Sequence, residues 1–235
     1  MGRRHIFLSV ALTALTVGLA LHSRAVPIFT KGNVLVGANY NDGPGSSDMT
    51  LIIKLESGGK AYVDEGAKVK YINNDANKDA KPGWSQIEYD DSKWQDGISG
   101  VGFSDNDDNT VTAAGLITIW TRYYFDIPDA SSVKDLLLYA DYDDHCGIWL
   151  NGERVYASNA MTPASGEPAW NVSQGGAAPN HESSDQAAGK PNKARWDNGA
   201  VVKTALTAKY GGANALAVEP KGKLAATWSD LKTSR

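Results

Sequence analysis

The chain has 235 residues, a formal net charge of −4, one cysteine, 24 glycines and seven tryptophans. The chain is acidic and has no basic patch with interleaved aromatic residues, so nucleic acid is not the expected partner. A single cysteine excludes an internal disulfide, so the hydrophobic core has to stabilise the fold by itself.

Residues 1–25 have the pattern of a secretory signal peptide. Arg3 and Arg4 form a basic start, residues 6–21 are apolar, and Ser23 and Ala25 supply small residues before the cleavage site. The apolar run is short for a membrane-spanning helix, and a retained N-terminal anchor is the alternative. Removing these 25 of 235 residues would leave 210 residues in a secreted protein, extracellular or periplasmic, without a membrane span.

Beyond residue 25, short β-strand patterns alternate with turn signals. Residues 26–38 have a mixed composition, and residues 39–47 have the composition of a loop. The segment 91–96 predicts one helical turn that directs Trp94 into the core. Branched and aromatic residues predict strands at 50–55, 60–63, 67–72, 116–125 and 136–140. In the segment 116–125, alternation places Trp120 and Arg122 on one face and Tyr123 and Phe125 on the other.

The segment 141–152 ends in Asn151-Gly152, the strongest hairpin signal in the chain. A type I′ turn needs two residues that tolerate positive φ, and an Asn-Gly pair meets this need. We therefore expect a tight antiparallel hairpin over residues 147–156. Within this segment, Trp149 is expected in the core, and Cys146 just before it is expected to be a small buried residue.

Several short motifs, taken in their order along the chain, resemble galactose-binding-domain-like jelly rolls of bacterial extracellular proteins. They are DDSKW at 90–94, GVGF at 100–103 followed by DNDDNT at 105–110, Arg122 with Phe125, Asp143-Asp144 before WLNG at 149–152, and NALAVE at 214–219. The resemblance implies an all-β fold, a two-sheet antiparallel β-sandwich over residues 61–222. Residues 26–60 would form an N-terminal extension with the first strand, and residues 223–235 a C-terminal tail.

The segment 159–198 is expected to be a long irregular insertion in this sandwich. It is rich in Ala, Gly, Pro, Ser and Asn and has no period, and loops of such length are commonly functional or disordered. It carries two tryptophans, Trp170 and Trp196, which a purely solvating loop does not need. Together with Trp84 in another loop segment, they are expected to be exposed.

The alternation of Asp105, Asp107 and Asn109 predicts a calcium site. Calcium binds six to eight hard oxygen ligands, and side chains two residues apart lie on one side of an extended loop. An EF-hand is excluded, because Thr110 stands where that loop needs glycine. The alternative is an acidic, solvated turn.

Asp141, Asp143 and Asp144 form a second acidic corner, which together with His145 could ligate a metal or hold sugar hydroxyls. Asp143, Asp144 and His145 are the predicted ligand residues. Carboxylates accept hydrogen bonds from sugar hydroxyls, and an indole face covers the apolar side of a pyranose. Trp170 and Trp196 are the predicted stacking surfaces. The alternative is that one aspartate only braces the turn before the hairpin through backbone amides.

The sequence contains none of the common catalytic motifs, such as G-x-S-x-G, H-E-x-x-H or a P-loop. We therefore expect an exported, non-catalytic carbohydrate-binding module, stabilised by calcium if Asp105, Asp107 and Asn109 bind it. The partner would be a glycan or a cell-surface protein. A structural or adhesion module without a sugar site is the first alternative, and a small glycan hydrolase using the acidic corners is the second.

Overall fold

The computed structural model describes residues 25–43, 46–73, 80–104, 106–133, 135–158, 161, 166–169, 181–184 and 193–210. Strands dominate this part of the chain, which confirms the predicted all-β sandwich. The helical elements described are one 3₁₀ turn, Ala130–Ser132, and one α-helical turn, α1 (Lys193–Trp196). The strands are β1 Val26–Ile28, β2 Asn33–Tyr40, β3 Met49–Ser57, β4 Lys60–Val63, β5 Lys68–Asn73, β6 Gln95–Ile98, β7 Val101–Phe103, β8 Thr110–Val111, β9 Thr118–Phe125, β10 Asp135–Tyr142, β11 His145–Leu150, β12 Glu153–Ala157 and β13 Val202–Tyr210.

These strands form two sheets. The seven-stranded sheet has the order β1-β13-β10-β3-β7-β8, with β4 also paired to β3, and the six-stranded sheet has the order β12-β11-β2-β9-β5-β6. The pairs are antiparallel except for two short parallel pairs, β1 with β13 and β7 with β8, each at an edge of the seven-stranded sheet. Residues 26–60, predicted as an extension, thus contribute β1, β2 and β3 to the two sheets.

The main core lies between the sheets and takes alternate residues from strands of both sheets. On β9, Tyr123 and Phe125 face this inter-sheet core, whereas Trp120 belongs to a second apolar cluster on the outer face of the six-stranded sheet. The predicted division of the two faces of this strand is therefore confirmed. Cys146 is fully buried and Trp149 is almost fully buried, as predicted for both.

Residues 80–94 cover the outer face of the six-stranded sheet, which corrects two expectations. Trp84, expected to be exposed, is only 2% exposed, because its ring stacks on Trp120 at 4.4 Å and meets Trp149 edge-on at 4.9 Å. The helical turn predicted at 91–96 is wrong, since a tight turn at 92–93 leads directly into β6. Trp94 is buried, as predicted.

The central strand β2 was not predicted, and the loop predicted at 39–47 is wrong for Asn39 and Tyr40. All eight residues of β2 are buried, because the strand is covered by the inter-sheet core on one face and by residues 80–94 on the other. A strand covered on both faces shows no polar alternation. Gly37 faces β3 so closely that a Cβ atom there would lie 2.4 Å from Ile53 Cδ1.

The hairpin predicted over residues 147–156 is confirmed as β11 paired with β12. Asn151 and Gly152 have φ of 52° and 83°, the positive values that a type I′ turn requires. The Asn151 carboxamide oxygen also accepts a hydrogen bond from Val34 N at 2.8 Å, which fixes the turn against β2.

Residues 1–24 and the NALAVE motif lie outside the described residues, and no helix within the described ranges is long and apolar enough to cross a membrane.

Candidate functional site

Two connections between the sheets meet at one end of the sandwich. Residues 41–48 run from β2 to β3, and Asp143 and Asp144 connect β10 to β11. Asn39, fully buried at this end of β2, ties the start of β3 to the second of these connections. Its Nδ2 atom donates hydrogen bonds to the carbonyl oxygens of Thr50 at 2.8 Å and of Asp143 at 2.6 Å.

An open, acidic pocket of about 460 Å³ lies where these connections meet. Five carboxylates and two serine hydroxyls contribute to its wall, and no aromatic residue is found among the described residues that line it. The structure therefore places the predicted ligand residues Asp143 and Asp144 in one pocket with residues far away in sequence. The lining residues are Asp42, Gly43, Ser46, Ser47, Asp48, Asp143, Asp144 and Glu182.

Asp144 both lines the pocket and braces its wall. Its Oδ2 atom accepts hydrogen bonds from Asp42 N at 2.9 Å and from Ser46 Oγ at 3.3 Å. These bonds fix Asp42 and Ser46, on the connection between β2 and β3, to the residue just before β11. Asp144 therefore bonds a backbone amide and a hydroxyl of the neighbouring connection, and the pocket lies against the same side chain.

His145, the third residue of the predicted corner, is not among the described residues that line the pocket. Its side chain points away from the inter-sheet core, which holds its neighbour Cys146. His145 is 2% exposed, and its Nδ1 atom lies 3.4 Å from Ser158 Oγ. Burial lowers the pKa of His145, and the nearby Asp144 and Asp42 oppose this effect.

Part of the predicted insertion packs against this corner. His181 N donates to the Asp144 carbonyl oxygen at 3.2 Å, and its ring stacks on Tyr142 with 4.0 Å between ring centroids. Ser184 N donates to Asp141 Oδ1 at 2.8 Å. Between these two anchors, the exposed Glu182 completes the pocket wall. Sequence reasoning missed Glu182, because nothing in the local pattern shows which part of a long loop folds back.

Of the two tryptophans predicted to stack on the sugar, Trp196 is described, and it does not line this pocket. Trp196, in α1, is half-buried rather than exposed, and its indole N–H donates to Asp64 Oδ1 at 3.1 Å. Its ring packs 5.8 Å from that of Tyr139, which precedes Asp143 by four residues, roughly 13 Å along a strand. Trp170 lies outside the described residues.

Two of the three residues predicted to bind calcium, Asp107 and Asn109, have other contacts. Asp107, 1% exposed, forms an ion pair with Arg195 Nη1 at 3.1 Å, and Asn109 Nδ2 donates to the Ser99 carbonyl oxygen at 2.6 Å. Asp105 lies outside the described residues. No group of three or more His, Cys, Asp or Glu side chains in the described ranges is arranged to hold a metal ion. Calcium binding stays a prediction.

The cation beside Asp107 belongs to a buried ion cluster. The Arg195 guanidinium also lies 2.5 Å from Asp141 Oδ2 and 3.0 Å from Glu65 Oε2, and it is fully buried. Burial raises the pKa of Glu65, although Arg195 opposes the rise. One guanidinium therefore supplies positive charge to three carboxylates and anchors α1 to the sandwich.

Comparisons with models of known protein families, with curated proteins and with solved structures find no match. The function therefore has to be argued from the chemistry of the pocket.

Proposed function

We propose that this chain is an exported, non-catalytic carbohydrate-binding module and that the acidic pocket binds the sugar. The observation that carries this proposal is an open pocket of about 460 Å³ with a wall of oxygen-bearing side chains. Pockets of roughly 300–1,000 Å³ are usual for small-molecule ligands. The pocket lies between two connections that are linked by a hydrogen bond from Asp42 N to Asp144 Oδ2. The buried Asn39 also ties Asp143 to Thr50 at the start of β3, so part of the pocket wall is pre-organised.

The chemistry of the wall favours a neutral saccharide. Ionised carboxylates only accept hydrogen bonds, and sugar hydroxyls are donors that suit them. Ser46 and Ser47 add groups that both donate and accept. The five carboxylates of the wall would repel uronic acids and sulfated sugars. Because such an open site buries little ligand surface, we expect dissociation constants of roughly 10 μM to 1 mM.

A structural or adhesion module is the second candidate, and one observation favours it. Part of the 159–198 insertion packs beside the pocket, where His181 bonds to the Asp144 backbone and Ser184 to Asp141. A surface that the insertion extends in this way suits contact with another protein as well as with a sugar.

A glycan array, followed by calorimetry on any sugar it detects, tests the proposal with and without calcium. Asp48→Asn and Glu182→Gln should each weaken binding at least several-fold, because each removes a carboxylate from the wall. Asp135→Asn is the matched control, since this exposed aspartate lies at the opposite end of β10 from the pocket. Capture of a surface protein with no glycan bound would support the adhesion module. Release of reducing sugar would show that the protein is an enzyme.

A further inference from the structure

His145 combines three features that bear on how the pocket corner responds to pH. The side chain is 2% exposed. Among the described atoms, its Nε2 has no hydrogen-bond partner. It follows directly after Asp144, whose side chain holds Asp42 and Ser46 and whose carbonyl oxygen holds His181.

We propose that His145 is a proton-sensitive latch that keeps this corner closed while its imidazole is neutral and opens it on acidification. A buried imidazole with one unpartnered nitrogen is stable only when it is uncharged, because an imidazolium needs a hydrogen-bond acceptor for each N–H. On protonation, the ring has to move to reach water or a carboxylate. Movement at His145 disturbs the start of β11, and with it the bonds that Asp144 makes.

The charged and titratable groups described around the ring are Asp144, Asp42 and His181, together with Tyr40, which pairs with His145 across β2 and β11. Burial raises the pKa of Tyr40, so its phenol stays neutral over the range in which histidine titrates. The two carboxylates favour the imidazolium, whereas burial and His181 favour the neutral ring. Burial is the largest effect, so the pKa of His145 is lower in the closed corner than its ordinary value. The open state then binds protons more readily than the closed state. Opening is favoured as the pH falls below about 6.5, the ordinary pKa of histidine.

This regulation rests on the proposed function only where it concerns the sugar. If the pocket binds a saccharide, opening of its wall should weaken binding in acid. The latch itself can be measured without any ligand, so the failure of one proposal can be told apart from the failure of the other.

Amide hydrogen exchange on the full chain, between pH 7 and pH 5.5, tests the latch. We expect protection factors at residues 143–145 and 181–184 to fall several-fold, and at most about tenfold, because one proton drives the opening. Protection at the middle of β9 should stay unchanged. An NMR titration should give His145 a pKa below that of a free histidine.

Two variants show which histidine causes the loss of protection in acid. In His145→Asn, a neutral amide stands in for the imidazole beside Ser158, and the pH-dependent loss of protection should disappear. In His181→Gln the loss should persist, even if the overall protection is lower. The latch is refuted if His145→Asn keeps the loss, if His181→Gln alone removes it, or if protection rises in acid. A rise would mean that the imidazolium stays buried and bonds to Asp144 or Asp42.

Discussion

The contact between Gly37 on β2 and the facing strand β3 gives the sharpest test of the packing between the sheets. A Cβ atom at Gly37 would lie 2.4 Å from Ile53 Cδ1 and 2.8 Å from Leu51 Cδ2. Carbon atoms pack at about 3.5–4.0 Å, so Gly37→Ala has to displace at least one side chain of a filled core. Overpacking of this kind costs about 1–3 kcal/mol of unfolding free energy.

Removing the obstructing methyl should recover part of this loss. Ile53→Val deletes the Cδ1 atom and by itself should cost about 0.5–1.5 kcal/mol. The added and deleted atoms compete for the same space. The loss of unfolding free energy in the double variant should therefore be smaller than the sum of the two single losses by roughly 1 kcal/mol. Leu51 limits the recovery, since its Cδ2 atom remains close.

Urea denaturation of the wild type, the two single variants and the double variant measures this difference, the coupling between the two positions. Gly199→Ala serves as the control, because a Cβ atom there meets nothing within 4 Å, and its effect should stay below about 1 kcal/mol. If the losses at Gly37 and Ile53 add without coupling, or if Gly37→Ala is as harmless as the control, the close approach of β2 to β3 is not as described.

Two further predictions concern the buried ion cluster and calcium. Arg195→Met should lower the unfolding free energy by about 3–5 kcal/mol at pH 7, because it leaves Asp141 and its partner carboxylates buried without their cation. Urea denaturation measures the loss, Lys31→Met on the exposed surface is the control, and a loss below about 1 kcal/mol would contradict the prediction. For calcium, millimolar Ca²⁺ should raise the melting temperature of the wild type, since a ligand of the native state stabilises it by mass action. Replacing Asp105 and Asp107 with Asn should abolish the rise, and an unchanged wild-type melting temperature with no calorimetric signal would retire the calcium hypothesis.

Local sequence patterns were sufficient for the elements whose structure depends on neighbouring residues. The Asn151-Gly152 turn follows from backbone conformation alone, because few residue pairs accept positive φ at both positions. The division of the β9 faces follows from the period of two, which assigned Trp120 and Tyr123 to opposite sides of the sheet. The acidic corner at Asp143 and Asp144 was likewise visible as a turn before a strand.

Only the tertiary structure decided the features that depend on distant segments. The burial of β2 on both faces removed the alternation that would have marked it as a strand, and the burial of Trp84 depends on Trp120, 36 residues further along. Arg195 meets Asp107 across 88 positions, so a cation pairs with a carboxylate that the local pattern had assigned to calcium. Asp48 and Glu182 join Asp143 at one pocket because two connections and part of the insertion converge there. Sequence spacing carries no information about such convergence, since a chain of this length can bring many pairs of carboxylates together and only packing selects among them.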